Sequence, residues 1–291
     1  MDINNEKLIS WLFGTKALKV CEHNNPFWYT SGTIGPYYIN THFLFGSEEK
    51  AKNLLELIDY NKFDRLLCPH KVRETVLRNY DEDNIYKELI DHMCKFIEKN
   101  INLSEVDYIS GGERRDWFFS MMVSYKLNKP HITIYKDKTI VYGDDEYIFA
   151  ESGEFSNKNI LHIADLITEA SSYRRTWIPA IEEKGGILKW SVVVVDRKQG
   201  GEKVLSEKNI QLFSMINVDK GLFQKAMELG YIGSEQHEMI RHYLQNPKKS
   251  MTNFLRNNPQ FLEKALNSDD KTKERAELCI ENKIYDLKYN S

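Results

Sequence analysis

The chain has no excess of basic residues, no internal repeat and no long apolar run, and each absence excludes a class of protein. Lysine and arginine number 40 against 43 aspartate and glutamate residues, which leaves a net charge of -3. This balance gives no sign of the cationic surface that attracts nucleic acids or anionic membranes. The most apolar stretch, residues 192–195 and their flanks, is far shorter than the roughly 20 residues that span a bilayer. We therefore expect no nucleic-acid partner and no membrane association.

Cysteine is sparse as well. The chain has four, Cys21, Cys68, Cys94 and Cys279, with no C-x-x-C spacing. Four scattered cysteines without such a spacing argue against a zinc cluster or a disulfide framework, so free thiols in a reducing compartment are the simpler interpretation. Residues 1–15 are polar and acidic at their start and contain no apolar run of the signal-peptide kind. These features predict a cytoplasmic protein.

What the sequence does contain is typical of a folded globular protein. It has 291 residues, of which 41% are hydrophobic and 29% charged, enough for a sizeable core. Residues 1–100 combine helical patterns with a strand pair near residues 27–45, whereas residues 218–291 carry only helical patterns. We therefore predict a domain of residues 1–217 and a C-terminal helical extension of residues 218–291, which would serve in packing or dimer contacts.

The central residues 105–217 alternate apolar strands with helices, which predicts an α/β fold with a mainly parallel sheet flanked by helices. Continuous apolar runs such as residues 192–195 suit strands that are buried on both sides. The expected strands are residues 106–110, 131–135, 159–163, 188–195 and 211–216. The expected helices are residues 6–16, 47–60, 83–98, 116–127 and 172–184.

The most informative segment is residues 160–172, where an apolar strand ends at Asp165 and a turn of small and hydroxyl residues leads into a helix. Such a turn places backbone N–H groups and hydroxyls at a helix N-terminus, where they can surround a phosphate. The acid before the turn would accept hydrogen bonds from sugar hydroxyls at the carboxyl end of the strand. The alternative is an ordinary strand-to-helix turn in which Asp165 and Thr168 act as caps.

The same segment resembles the phosphoribosyl diphosphate (PRPP) motif of type I phosphoribosyltransferases, which has two acids, a threonine, a small-residue turn and a serine or threonine. Asp165 matches the second acid and Thr168 the threonine. Ala164 stands where the first acid belongs, and Glu169 stands where a small residue is usual. The resemblance implies that Asp165 is a catalytic residue that contacts the ribose hydroxyls. It implies phosphate contacts at Thr168, Glu169, Ala170, Ser171 and Ser172.

Residues 26–40 are similar to the N-terminal signature of orotate phosphoribosyltransferases, in which an aromatic residue leads to Ser-Gly and then to Pro-Tyr and Asn. A hairpin of this kind can lay backbone groups and an aromatic face against a flat base. The resemblance implies that Ser31, Gly32 and Tyr38 bind the base. Thr30 replaces the family's lysine before Ser-Gly, which removes a positive charge. The alternative is a plain β-hairpin with glycine turns.

Residues 107–116 resemble the strand and diphosphate loop of the family. Glycines let the backbone approach a ligand closely, and arginine presents a fork of donors that suits a diphosphate. The resemblance implies diphosphate binding by Gly111, Gly112, Arg114 and Arg115. The alternative is that the arginines are solvated residues in the first turn of a helix.

Residues 134–143 are similar to the mobile catalytic loop, whose basic residues reach the diphosphate leaving group. Lys136 matches the family lysine, and Lys138 stands one residue out of step with the second. The resemblance implies that both lysines are catalytic. Two lysines near an acid are also common on any surface loop.

Residues 191–201 are close to the family's strand followed by Asp-Arg, a polar pair and glycine. In orotate enzymes the arginine of this segment contacts the base, a role that the resemblance assigns to Arg197. The alternative is a buried strand that ends in a charged turn.

Five segments thus follow the family order over roughly residues 25–217. The resemblance implies transfer of ribose 5-phosphate from PRPP to a pyrimidine base such as orotate, with Mg²⁺ held mainly through PRPP and no metal site made by the protein alone. It also implies a homodimer.

Two other interpretations stay open. Ala164, Glu169 and Thr30 favour a non-catalytic protein that kept a PRPP or nucleotide pocket as a sensor. A phosphoribosyltransferase for a different base is the third possibility.

Overall fold

The computed structural model describes residues 3–22, 25–143, 149–151 and 154–285. These residues form two compact units. The first unit joins Met1–Ala17 to Thr41–Val218, and the second joins Leu18–Asn40 to Asp219–Ser291, each within the described ranges. The second unit resumes at Asp219, next to the predicted domain boundary. It also takes up residues 18–40, which the sequence pattern assigns to the N-terminal domain.

The strands of the described residues, in chain order, are β1 (Leu18–Val20), β2 (Phe27–Trp28), β3 (Ile34–Gly35), β4 (Tyr37–Ile39), β5 (Tyr108–Gly112), β6 (His131–Ile134), β7 (Ile140–Gly143), β8 (Phe149–Glu151), β9 (Asn159–Ile167), β10 (Ile187–Asp196) and β11 (Gln211–Asn217). The helices are α1 (Ile3–Gly14), α2 (Glu48–Asn61), α3 (Leu67–Glu82), α4 (Asn84–Asn100), α5 (Trp117–Lys126), α6 (Ile178–Glu182), α7 (Gly201–Ser206), α8 (Lys220–Glu228), α9 (Ser234–Gln245), α10 (Pro247–Asn257), α11 (Pro259–Leu266) and α12 (Asp270–Glu281).

A seven-stranded sheet with the order β11-β10-β9-β5-β6-β7-β8 forms the centre of the first unit. The strands from β11 to β6 pair in parallel, whereas β6 with β7 and β7 with β8 pair antiparallel. The predicted α/β fold with a mainly parallel sheet and flanking helices is confirmed. Strands β9 and β10 both run beyond their predicted ends, and β9 continues to Ile167, so that Asp165 lies within the strand.

The apolar run Val192-Val193-Val194-Val195 lies in β10, between β9 and β11, and all four side chains are buried. Burying a valine side chain completely contributes about 1.5–3 kcal/mol. An interior strand covered on both faces is the place where such a run is most stabilising, and this run therefore anchors β10 between its two neighbours.

Helices α2 and α4 begin where the sequence predicts them, because each has a capping side chain. Ser47 Oγ accepts a hydrogen bond from Lys50 N (3.1 Å), and Asp83 Oδ1 accepts one from Tyr86 N (2.9 Å). Such caps satisfy N–H groups that have no partner inside the helix. Helix α3 lies between them and is not among the expected helices.

Among the described residues, no helix combines the length and the apolarity needed to cross a bilayer.

The second unit pairs the N-terminal hairpin with the C-terminal helices. Strand β2 pairs with β3, and β1 pairs with β4. Trp28 stacks on Phe261 with ring centroids 5.6 Å apart, and the Tyr285 hydroxyl accepts a hydrogen bond from Ile34 N at 2.8 Å. The expected strand pair near residues 27–45 is thus shorter than predicted, since residues 41–45 form a 3-10 turn in the first unit.

The C-terminal residues are helical, as predicted for residues 218–291, over the part that the structure describes. Asp219 caps α8 by accepting a hydrogen bond from Leu222 N at 3.0 Å. Pro247 and Pro259 each open a helix at its first position, where the missing N–H costs nothing. The contacts of Trp28 with Phe261 and of Ile34 with Tyr285 explain why the hairpin and the C-terminal residues form one unit.

We predict that Gly112→Ala destabilises the first unit. A Cβ atom at Gly112 would overlap the ring of Trp177, which is itself buried, and overpacking of this kind costs about 1–3 kcal/mol. Urea unfolding should show a lower midpoint with an unchanged slope.

Gly14→Ala is the matched control, because a Cβ atom at Gly14 would meet nothing within 4 Å. Its unfolding midpoint should stay near that of the parent or rise slightly. Equal stability of the two variants would contradict the packing of Gly112 against Trp177.

Candidate active site at the carboxyl edge of the sheet

A cavity of about 340 Å³ lies at the carboxyl ends of β5 and β9, and we call it the edge cavity. Three segments meet there: the loop after β5, the turn after β6 and the turn after β9. Its lining residues are Glu113, Arg114, Arg115, Asp116, Lys136, Ala164, Asp165, Leu166, Ile167, Thr168, Ala170, Ser171, Ser172, Tyr173 and Trp177. The sequence motifs of the diphosphate loop, the catalytic lysine and the phosphate turn therefore converge on one space.

The turn after β9 begins two residues later than the sequence predicts. The strand ends at Ile167, and helical backbone begins at Ser171. Between them Ala170 has φ +55°, a left-handed conformation that costs an ordinary L-residue about 1–2 kcal/mol. Gly201 N donates to Thr168 O at 2.9 Å, which ties the turn to the loop after β10. Residues 168–170 thus form a turn that opens a helix, and Ser171 and Ser172 at the start of that helix line the cavity.

Asp165 is the buried carboxylate of the edge cavity. Its Oδ1 accepts a hydrogen bond from Leu166 N at 2.7 Å. Its Oδ2 is buried and has no hydrogen-bond partner in the described part of the chain. Burial and, after it, the nearby charge of Asp116 raise the pKa of Asp165 to about 7, while Arg115 opposes the shift. A buried acceptor without a donor is costly, so a ligand hydroxyl or a proton at Oδ2 would stabilise this group.

Asp116 lies next to Asp165, at the start of α5. Its Oδ1 accepts a hydrogen bond from Asp165 N, and its Oδ2 accepts one from Gly112 N, both at 3.1 Å. His162 Nε2 is 3.5 Å from Asp116 Oδ2, and His162 Nδ1 is 2.9 Å from Ser110 Oγ. All of these side chains are buried. A connected set of polar groups therefore underlies the cavity.

The loop after β5 carries the two predicted arginines. Arg114 is partly buried and forms an ion pair with Asp59 at the end of α2. Arg115 is exposed, and both arginines line the cavity. The interpretation that they are solvated first-turn residues of a helix does not describe Arg114, which is held by a partner.

The two glycines at the end of β5, Gly111 and Gly112, serve packing. A Cβ atom at Gly111 would overlap Ser120 Oγ, which lies 2.9 Å from His131 Nε2. The pKa of His131 is lowered to about 3 by burial and by His162, so this histidine is neutral. Gly112 lies under Trp177 and donates its N–H to Asp116. Both glycines thus allow close packing beneath the cavity, while their predicted contact with diphosphate stays a prediction.

The two predicted lysines differ in their surroundings. Lys136 is exposed and lines the cavity, and its backbone N–H donates to Glu113 Oε2 at 3.0 Å. Lys138 Nζ instead forms an ion pair with Glu183 Oε1 at 3.0 Å. The intervening Asp137 is paired with Arg65 at 2.5 Å. Ion pairs of Asp137 and Lys138 therefore hold the turn after β6, and Lys136 in the same turn lines the edge cavity.

Arg197 and Glu169 belong to neighbouring loops. Arg197 N donates to Ile167 O at 3.0 Å, and Arg197 Nε is buried without a hydrogen-bond partner among the described residues. A buried guanidinium donor without an acceptor favours binding of a carbonyl or carboxylate. Glu169 is exposed, so its charge can point into solvent and away from a bound phosphate.

The predicted base-binding residues Ser31, Gly32 and Tyr38 belong to the second unit. Ser31 is exposed, with its Oγ 2.7 Å from Thr33 Oγ1. Gly32 is buried at φ +76°, and a Cβ atom there would lie 3.0 Å from Cys279 N in α12. The glycine therefore permits close packing of the hairpin on α12. The assignment of these residues to a base stays a prediction.

Sequence patterns missed several lining residues. Asp116 reads as the first residue of a helix, and Tyr173 and Trp177 read as core residues of the next helix. Tyr173 and Trp177 form a π-helical turn with Arg174–Thr176 between them, and their rings contact His162. The available signal was His162, a polar residue within the apolar run of residues 160–164, because a buried polar side chain needs hydrogen-bonding partners.

The fold places the chain among known structures. Over 81% of its length it shares the fold of orotate phosphoribosyltransferase from Francisella tularensis, with a TM-score of 0.52 and 16% identity, covering 96% of that chain. The chain therefore has the type I phosphoribosyltransferase fold.

In sequence the chain resembles orotate phosphoribosyltransferases in particular. It is 28% identical over 161 residues to that of Sulfurisphaera tokodaii, covering 55% of this chain and 79% of the relative. It is 23% identical over 245 residues to that of Staphylothermus marinus, covering 84% and 97%. No family model matches the chain, which is in keeping with a divergent relative.

We predict that Asp165→Asn stabilises the protein more at pH 8 than at pH 4. The folded pKa of Asp165 is about 7, above its ordinary value of 3.8, so the folded state binds this proton more tightly than the unfolded state. The contribution to stability is present below pH 4 and is lost as the pH rises to 7. The difference in melting temperature between variant and parent should therefore grow over that interval.

Asp107→Asn is the control of opposite sign. Asp107 is only slightly buried, and its pKa is lowered because it accepts hydrogen bonds from Asn159 N and Lys158. Its contribution is present above its unfolded pKa and is lost as the pH falls, so Asp107→Asn should cost more at pH 8 than at pH 4. The same pH trend in both variants would refute the environment assigned to Asp165.

Proposed function

We propose that the chain transfers ribose 5-phosphate from PRPP to a pyrimidine base such as orotate and releases diphosphate. The observation that carries this proposal is the edge cavity, which combines a phosphate-type turn, cationic side chains and a carboxylate whose Oδ2 has no partner in the described chain. In the reaction the C1–O bond to diphosphate breaks, and a C1–N bond to the base forms. Diphosphate leaves with the electron pair of the broken bond, and the base gives up its N–H proton.

The 5-phosphate would bind at the turn after β9. Thr168, Ser171 and Ser172 supply hydroxyls, and all three line the cavity. The first backbone N–H groups of the helix that follows are the donors that such a turn offers to a phosphate. The partial positive charge of a helix N-terminus favours a phosphate. This arrangement supports a sugar phosphate over a neutral sugar.

The ribose hydroxyls would bind Asp165. Its Oδ2 has no donor in the described chain, and a hydroxyl placed there would satisfy it. Since charge develops on the sugar ring when the C1–O bond breaks, an ionised Asp165 would also stabilise that positive charge. Binding of a cationic or hydroxyl-rich ligand would in turn favour the ionised form.

The diphosphate would lie among Lys136, Arg114 and Arg115, which line the same cavity. Arginine forks and the lysine charge match its oxygens and would stabilise the leaving group. Lys138 would join them only after it leaves Glu183. We therefore infer that Lys136 does most of this work.

Mg²⁺ would neutralise the diphosphate charge when bound. In the described part of the chain no three acidic, histidine or cysteine side chains gather into a metal site, so the ion would depend mainly on the oxygens of PRPP. Asp165 Oδ2 has no hydrogen-bond partner in the described part of the chain, and Asp165 lines the same cavity, so it would be available as one hard oxygen ligand.

The base would be held by Arg197, whose buried Nε has no acceptor among the described residues. We propose a homodimer as the assembly.

A sensor that binds PRPP without turnover is the second candidate. Ala164 lacks the carboxylate of the first acid. The ion pairs of Asp137 with Arg65 and of Lys138 with Glu183 hold the turn that should move during catalysis. Both features support binding more directly than they support turnover.

Titration calorimetry with PRPP and Mg²⁺, followed by orotate and a diphosphate-release assay, tests the proposal. We expect saturable PRPP binding, and diphosphate release when the base is added. Thr168→Ala should weaken PRPP binding about tenfold to a hundredfold, since a hydrogen bond to a charged group contributes about 1.5–3 kcal/mol.

Ser206→Ala is the matched control, because Ser206 is an exposed hydroxyl that donates to Lys203 O. It should leave the affinity unchanged. Binding without release would favour the sensor, and release only with another base would change the acceptor. Absence of PRPP binding would refute both candidates.

A further inference from the structure

The two central strands β5 and β9 separate at their carboxyl ends. Their paired residues run from Tyr108 opposite Ile160 to Ser110 opposite His162. Beyond that point Gly111 and Gly112 pair only with β6 on the other side. The edge of β9 that faces β5 therefore has no strand partner around Asp165, and its backbone N–H needs another acceptor.

Asp116 supplies that acceptor and bridges the gap. One carboxylate oxygen receives Asp165 N–H and the other receives Gly112 N–H, each at 3.1 Å. The side chain thus replaces, with its two oxygens, the ladder bonds that the separated strands no longer make. Buried N–H groups left without a partner cost about 1–3 kcal/mol each, so the bridge stabilises the open edge of the sheet.

His162 lies beside the bridge. Its Nε2 is 3.5 Å from Asp116 Oδ2 and has no hydrogen-bond partner among the described residues, while its Nδ1 is 2.9 Å from Ser110 Oγ. Ser110 and His162 are the last paired residues of the two strands. The rings of Tyr173 and Trp177 pack on the imidazole.

The bridge determines where the Asp165 carboxylate lies. Asp165 N is bound to Asp116 and Asp165 Oδ1 to Leu166 N, which leaves Oδ2 as the carboxylate oxygen without a partner among the described residues. Asp116 and Asp165 line one cavity together with Ala164. A pair of carboxylates therefore borders the cavity although residues 164 and 165 are not both acidic.

We propose that Asp116 is a positioning residue that takes over from the acid missing at position 164, by fixing Asp165 to bind the hydroxyls of a phosphorylated sugar. This inference rests on the proposed function. It predicts that an acid at position 164 weakens PRPP binding when the Asp116 carboxylate is present and strengthens PRPP binding when that carboxylate is absent. With Asp116 present, a third buried carboxylate would repel the other two. With Asp116 neutral, an acid at position 164 would restore a pair.

The test compares PRPP binding with Mg²⁺ for the parent, Asp116→Asn, Ala164→Asp and the double variant. Asp116→Asn keeps the shape but not the second anionic oxygen, and we expect it to weaken binding about tenfold or more. Ala164→Asp should weaken binding in the parent and strengthen it in the Asp116→Asn background. Purely additive effects of the two changes would overturn the proposal, because a merely structural Asp116 gives no such reversal.

Glu207→Gln is the matched control for loss of one negative charge, since the Glu207 side chain is 63% exposed and the residue directly follows α7. It should not change the affinity. Asp116→Glu covers the case in which Asp116→Asn does not fold. It keeps the charge but adds a methylene group that disturbs the bridge, so it too should weaken binding. Parent-like binding by Asp116→Glu would count against the proposal.

Amide hydrogen exchange separates this inference from the proposed function. Asp116→Asn and Asp116→Glu should each speed the exchange of the Asp165 and Gly112 amides relative to Glu207→Gln, whether or not the parent binds PRPP. Faster exchange in a protein that does not bind PRPP would leave the bridge in place and refute the proposed function. Unchanged protection of both amides would overturn the bridge itself.

Discussion

The opening between β5 and β9 is the constraint on which the rest of the site depends. A parallel sheet whose central strands stayed paired to their ends would leave no space for a ligand at that edge. Here the ladder stops at Ser110 and His162, and the chain must satisfy the freed backbone groups in another way. It does so with a side chain, Asp116, which also brings negative charge to the mouth of the opening. One side chain, Asp116, therefore both satisfies the freed backbone groups and contributes charge to the cavity.

The edge cavity has a buried acidic side and an exposed basic side. Asp165 is buried beside another carboxylate, which raises its pKa to about 7. On the other side Arg115 and Lys136 are exposed and line the same space. A ligand that offers hydroxyls on one side and phosphate oxygens on the other would satisfy both sides at once. Sugar phosphates have that distribution, and this match supports a phosphoribosyl ligand more strongly than any single motif does.

The sequence predicted the parts of the molecule that depend on local patterns. The run of four valines predicts a buried strand, and the patterns of residues 47–60 and 83–98 predict helices, and each has the expected form. The order of strand, turn and helix around Asp165 is also as predicted, although the strand ends two residues later. The grouping of residues 18–40 with the C-terminal helices depends on contacts such as Trp28 with Phe261. The partner of Asp116 lies 49 positions away in the chain. Neither the grouping of residues 18–40 with the C-terminal helices nor the contact of Asp116 produces a pattern in the neighbouring sequence. The spacing of residues along the chain therefore could not predict either of them.

The most direct measurement is the change in backbone amide chemical shifts when ribose 5-phosphate is added to the full chain. A pocket for a phosphorylated sugar predicts saturable shifts at residues 168–173, with smaller ones at residues 113–116, and none of this size with ribose alone. Shifts confined to other regions, or equal shifts with ribose and ribose 5-phosphate, would contradict the account.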